Sequence, residues 1–103
     1  MVEPVISVVI VNWNGRHLLD ECLGSLASQR ARGVEIILVD NGSRDGSAEY
    51  VRERYAGVRV IGLPDNTGFA GGNNAGIRTA GGKYIALLNT DTRADPDWLA
   101  NLL

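Results

Sequence analysis

Lys83 to Asp97 reads KYIALLNTDTRADPD. The apolar run Tyr84-Ile85-Ala86-Leu87-Leu88 ends abruptly in Asn89-Thr90-Asp91-Thr92, and Asp95-Pro96 then offers a helix start. This pattern predicts a buried strand that delivers polar side chains at its carboxyl end. In open α/β sheets ligands lie outside the carboxyl ends of the strands. Asn89 and Asp91, two apart, project from one side of an extended segment. A carboxylate and an amide so placed can hold a hydroxylated, metal-bridged phosphate ligand. The plainer alternative is a strand end followed by an N-capped helix, with Asp91 a solvated turn residue.

The same punctuation recurs earlier in the chain. Val5 to Val11, VISVVIV, is β-branched and almost continuously apolar, as expected of a central strand covered on both faces in a parallel sheet. It stops at Asn12-Trp13-Asn14-Gly15, after which Leu18, Leu19, Cys22, Leu23 and Leu26 recur at helical spacing to about Gln29. Val34 to Val39 is a second buried strand and ends in Asp40-Asn41-Gly42-Ser43, with Ser43 or Asp45 able to cap a following helix over Ala48, Val51 and Tyr55. Val58 to Ile61 is a shorter third strand. Between Leu63 and Gly82, Gly68, Gly71, Gly72 and Gly76 allow close backbone packing, and Ala70, Ile77 and Ala80 suggest a short helix with a small-residue face. Phe69 reads as an anchor for that loop. Asp95 as N-cap and Pro96 at the first helical position begin a last helix.

The order strand-helix three times over, closed by a strand and a helix, predicts a doubly wound, largely parallel α/β sheet with helices on both faces. Residues 1–103 form one domain, because a chain of this length buries enough surface for a single core. Trp98, Leu99, Leu102 and Leu103 read as an apolar patch without a second layer, so a truncated parent and self-association through this helix are expected.

Composition narrows the function. A net charge of −2 provides no basic field for nucleic acid or an anionic membrane, so a polyanionic ligand must be held by local groups or a metal. The 13 glycines are about twice the usual share of ~7%, and they mark turns or close approach to a ligand. Cys22 stands alone at a helical core position and fits a reducing, cytoplasmic compartment. No run approaches the ~20 apolar residues of a membrane span.

Three strand ends therefore carry candidate groups: Asn12 and Asn14, Asp40 and Asn41, Asn89 and Asp91. Right-handed crossovers place these carboxyl ends together, which argues for a pocket. Neither a G-x-G-x-x-G turn nor a G-x-x-x-x-G-K-[ST] loop is present to cradle phosphates. With those absent, Asp91 coordinating Mg²⁺ or Mn²⁺ against a diphosphate gains weight against its reading as a solvated turn residue. His17, the only histidine, reads as a solvent-facing helix residue. Trp13 can stack on a base or sugar, or pack in the core.

ISVVIVNWNG, EIILVDNGSRDGS, DNTGFAGGNNAG, YIALLNTDT and DPDWL, in that order, resemble the amino-terminal half of a family 2 glycosyltransferase of the GT-A fold. It looks closest to the rhamnosyltransferase-like branch. The resemblance implies a nucleotide-diphospho-sugar donor, a glycan or lipid-linked acceptor hydroxyl, inversion at the anomeric carbon and a role in polysaccharide synthesis. It further implies that Asn12 lines the nucleotide pocket and Asp40 faces the base, and that Asn66, Gly68, Phe69, Asn73 and Asn74 close over the donor. Asn89-Thr90-Asp91 falls on the D-x-D position, with Asp91 toward Mn²⁺ or Mg²⁺ and an asparagine where the first acid is expected. The general base lies in the later half of this family's fold, outside this chain. A non-catalytic nucleotide- or protein-binding module of the same ancestry is the competing reading.

Overall fold

The computed structural model describes residues 4–102. Eight elements alternate: β1 (Ile6–Asn12), α1 (Arg16–Ala27), β2 (Val34–Asn41), α2 (Ser47–Arg54), β3 (Val58–Leu63), α3 (Gly68–Thr79), β4 (Tyr84–Asn89) and α4 (Trp98–Leu102). The strands form one parallel sheet in the order β3-β2-β1-β4. Asn12 pairs in register with Asp40, and Val11 with Asn89. Three polar strand ends are thus level at one edge of the sheet.

Side-chain alternation splits the core into two layers. Ile6, Val8, Ile10 and Leu38 face Leu19, Cys22, Leu23 and Leu26 of α1, together with Val51 and Leu99. On the opposite face Val9, Ile37 and Val39 lie under α3. Central strands with both faces covered need near-continuous apolar runs, and β1 and β2 have them over residues 8–11 and 36–39, with polar residues toward their ends.

The face of α3 follows the sequence expectation in its close-packed glycines and in Ala80, which packs on the sheet, and departs from it at Ala70 and Ile77. Gly72, Asn73 and Gly76 turn inward, while Ala70 and Ile77 are exposed. The branched valines of the sheet explain this: a Cβ on Gly76 would lie 2.4 Å from Val9 Cγ1, and one on Gly72 would lie 2.7 Å from Val11 Cγ1. Only glycine lets this helix approach so closely. Phe69, expected as an anchor, is 65% exposed at the start of the helix.

β4 was expected to be buried, and it is an edge strand. Tyr84, Ile85 and Leu87 are 52%, 42% and 48% exposed. α3 lies over β1 and β2, so among the described residues no layer covers the outer flank of β4.

The last helix also departs from expectation. It starts at Trp98 rather than Pro96, because Asp95 first makes a turn in which its Oδ1 accepts from Asp97 N–H and its carbonyl from Trp98 N–H. The expected unpartnered patch is largely docked. Leu99 is fully buried and Trp98 packs on the α1-side core, while Gln29 accepts from Leu99 N–H at 3.0 Å and donates to the Asp95 carbonyl at 2.6 Å. Leu102 stays exposed, and Leu103 lies outside the described residues. Among the described residues no helix is long and apolar enough to cross a membrane.

A polar staple closes the amino end of the sheet. Ser7, buried in β1, donates to Glu35 Oε1 at 2.7 Å and accepts from Gly82 N–H at 2.8 Å, and Gly81 N–H donates to the same Glu35 oxygen at 3.0 Å. The Gly81 bond, helped by Ser7 and the charge of Arg59 and opposed by burial, holds the Glu35 carboxyl below its ordinary value of 4.5. A depressed folded-state pKa gives stability that is present above the unfolded value and is lost as pH falls through the folded one. Glu35→Gln should therefore lower the urea midpoint near neutral pH and lose less stability than wild type between pH 6 and pH 3. Parallel midpoints across that range would contradict the staple.

Candidate functional site

The site begins with the amide of Asn12. This side chain, at the end of β1, has no exposed surface, and its Nδ2 donates to Asp40 Oδ1 at 3.1 Å and to Ser43 Oγ at 3.3 Å. Asp40 is itself 6% exposed, so the pair forms the floor beneath the loops rather than their rim. Its partner oxygen is committed to Asn12.

The β1–α1 and β2–α2 loops are laced together above that floor. Asn14 has φ 51°, a left-handed conformation that asparagine tolerates better than most residues. In it, Asn14 N–H donates to Ser43 Oγ at 2.8 Å and Asn14 Oδ1 accepts from Arg44 N–H at 2.8 Å. Ser43 therefore serves this lacing and not the α2 cap. Asp45 takes the capping role twice: Oδ1 accepts from Ser47 N–H at 3.0 Å at the start of α2, and Oδ2 accepts from Arg16 N–H at 3.0 Å at the start of α1. Burial works against the Asp45 charge, but these bonds and the Ser47 hydroxyl overcome it and hold the carboxyl below its ordinary 3.8.

A third loop is pinned by Asn41. Its Nδ2 donates to Asn66 Oδ1 and the Gly68 carbonyl, and its Oδ1 accepts from Thr67 N–H and the Thr67 hydroxyl. All of its hydrogen-bonding capacity is used inside the protein. Gly42, at φ 81°, lets the backbone of Asp65 pass where a Cβ would be 2.6 Å away. The result is a cleft of about 320 Å³ lined by Trp13, Asn14, Gly42, Arg44, Asp65 and Asn66. Trp13 is 57% exposed, so its indole is surface and not core. Because the Asn66 oxygen accepts from Asn41 and Gly68 N–H, its amide nitrogen is left to face outward.

At the end of β4, the chain turns at once, with Thr92 N–H donating to the Asn89 carbonyl at 3.1 Å. Asn89 and Asp91 are both exposed, but the turn takes Asp91 off the extended line, so the expected shared side of one strand is not what joins them. Asp91 acts electrostatically on its surroundings: burial, reinforced by its charge, pushes the Cys22 thiol up to about 11. That thiol is core and inert.

Among the described residues no group of three or more His, Cys, Asp or Glu side chains could hold a metal by itself. A cation here fits only as one shared between the exposed Asp91 carboxylate and ligand oxygens, a mode that Mg²⁺ and Mn²⁺ accept.

The remaining candidates lie around α3. Gly68, at φ 80°, opens its first turn, Phe69 and Asn74 are on its exposed surface, and Asn73 is buried toward the sheet. A second groove, about 560 Å³, lies between α1 and α2 and includes Arg16, His17, Asp20 and Tyr50. Its polar groups satisfy each other: Asp20 accepts from the hydroxyls of Tyr50 and Tyr55, and Arg16 sits 4.6 Å from the Tyr50 ring centre. The cleft residues Arg44 and Asp65 lie outside the strand-end groups that the sequence marks. The available signal was the Asn41-Gly42 pair, whose turn chemistry aims the following residues back at the strand ends.

Residues 7–103 match the profile of glycosyl transferase family 2. The putative glycosyltransferase EpsH of Bacillus subtilis is 33% identical over 107 residues, which take in the whole of this chain and 30% of EpsH. Among solved structures, S. aureus TarS 1–349 in complex with UDP-GlcNAc superposes with a TM-score of 0.87 at 24% identity, over 95% of this chain and 30% of that one. The mannosyltransferase PcManGT of Pyrobaculum calidifontis, in complex with GDP-Man and Mn²⁺, gives a TM-score of 0.87 at 26% identity, over 98% of this chain and 32% of that one. The chain thus spans about a third of the length of these relatives, with the same parallel α/β architecture. On the profile match across almost its whole length, the chain belongs to glycosyl transferase family 2.

Proposed function

We propose that this chain is the donor-binding part of a glycosyltransferase that moves a sugar from a nucleoside diphosphate to an acceptor hydroxyl with inversion. The observation that carries the reading is the cleft at the carboxyl edge of the sheet, with an exposed indole on one wall and a hydrogen-bonded frame behind it. Trp13 offers an apolar face on which a base can stack. Asp40 holds the floor with Asn12, and its remaining oxygen is an acceptor for a base N–H. The outward amide of Asn66 is a donor on the facing wall.

β1 pairs directly with β4, so Asn89 and Asp91 border the same edge. The diphosphate extends from the cleft toward them. Asp91 would hold a divalent cation together with diphosphate oxygens, and such a cation stabilises the charge on a leaving diphosphate. Asn89 contributes a neutral hydrogen bond to a ribose or sugar hydroxyl. The site for the acceptor, a glycan or lipid-linked hydroxyl, and the base that deprotonates it are assigned to the part of the relatives' length that these residues do not span. Asn89 in place of an acid also suits a second reading, a non-catalytic binding module, and the two differ in whether sugar is transferred.

Asp40→Ala should weaken nucleoside diphosphate binding in titration calorimetry while the protein still unfolds cooperatively. Unchanged affinity in a folded variant would remove Asp40 from the nucleotide floor. Asp91→Asn in the full-length protein should slow transfer to an acceptor by at least ~100-fold, since metal stabilisation of a leaving group amounts to several kcal/mol and each ~1.4 kcal/mol is tenfold. A wild type that binds nucleotide but never transfers sugar would favour the binding module.

A further inference from the structure

The Asn12 amide is only half satisfied. Its Nδ2 is engaged with Asp40 and Ser43, whereas its Oδ1 is buried and has no hydrogen-bond partner. Reversing the amide would turn the oxygen onto the Asp40 carboxylate, so the orientation is set by charge and the orphan is the oxygen. Buried acceptors of this kind are rare, because a partner is normally present. Gly15 marks where one could come from. A Cβ there would be 2.5 Å from Asn12 Oδ1 and 3.4 Å from Thr90 Oγ1, so the two oxygens flank the same bare Cα. Thr90 is half-buried, makes no side-chain hydrogen bond among the described residues, and sits between Asn89 and Asp91 in the turn after β4.

We propose that Thr90 is a positioning residue of the transferase site, whose hydroxyl donates to Asn12 Oδ1 and fastens the 89–92 turn to the end of β1 when donor and cation are bound. The amide of Asn12 then joins the nucleotide floor, through Asp40 and Ser43, to the turn that carries Asp91. Rotation about one side-chain bond of Thr90 moves the hydroxyl, and the absent side chain of Gly15 leaves the space for it. Occupancy at one end of the amide favours order at the other, so nucleotide and cation bind with positive coupling. This rests on the donor-binding reading given above.

The test is titration of a nucleoside diphosphate, with and without Mn²⁺, into the full-length wild type, Thr90→Val and Thr90→Ser. Thr90→Val keeps the shape and removes the donor. It should reduce the gain in nucleotide affinity brought by Mn²⁺ about tenfold, the scale of one buried hydrogen bond, and leave the metal-free affinity within twofold. Thr90→Ser should retain the wild-type gain. A wild-type gain in Thr90→Val, equal impairment of Thr90→Ser, or a wild-type affinity indifferent to Mn²⁺ would overturn the proposal. Failure of the wild type to bind any nucleoside diphosphate would instead overturn the donor-binding reading beneath it.

Discussion

One amide at the end of the central strand organises the functional edge of this protein. Asn12 is held by register opposite Asp40, and its hydrogen bonds to Asp40 and Ser43 tie the ends of β1 and β2 into a single floor. The loops above cannot be placed independently of it. Asn14 reaches Ser43 and Arg44, Asp45 reaches Arg16, and Asn41 reaches the 66–68 loop, so each loop is oriented by a side chain from another. Leaving a buried polar group unpaired costs about 1–3 kcal/mol. Disturbing one member therefore propagates to its neighbours, and the cleft walls are positioned by a network rather than by local turn preference.

Packing supplies the rigid base for that network. α3 can settle on the β1 and β2 valines only because Gly72 and Gly76 carry no side chain, and this closeness sets the height at which the helix begins beside the cleft. Adding volume at such a contact typically costs ~1–3 kcal/mol. On the other face, Cys22, Leu23 and Leu99 close the layer, with Gln29 stitching α1 to the last helix through two backbone groups. The salt bridge between Arg30 and Asp97, at 2.8 Å, joins the segment after α1 to the one before α4 but lies on the surface, where solvent screening leaves it little energetic weight.

Much of this was readable in the residues. The continuous β-branched run of β1 announced a central strand, and polar groups after three strands announced a common edge. What escaped was whatever depended on neighbours in space. Ile85 and Leu87 look like core in sequence, yet their exposure follows from strand order and from where α3 lies. Ile77 seemed to belong to the packing face of α3, but the branched valines beneath select glycine there. Asn41 resembled a ligand-facing group, whereas its hydrogen bonds are consumed in building the loop. Asn89 and Asp91 seemed to share one side of a strand until the turn at Thr92 separated them. A polar residue at a strand end is legible as such; whether it meets a ligand or a neighbouring loop is decided by the partners it finds.

The most direct test of the central claim, that the three laced loops form one nucleotide site, is a map of backbone amide shifts during titration with a nucleoside diphosphate. The account predicts perturbations grouped at residues 12–15, 40–46 and 64–68, extending to 89–92 when Mn²⁺ is added, with the Asp20, Tyr50 and Tyr55 groove unmoved. Shifts centred on that groove, with the strand-end loops silent, would contradict it.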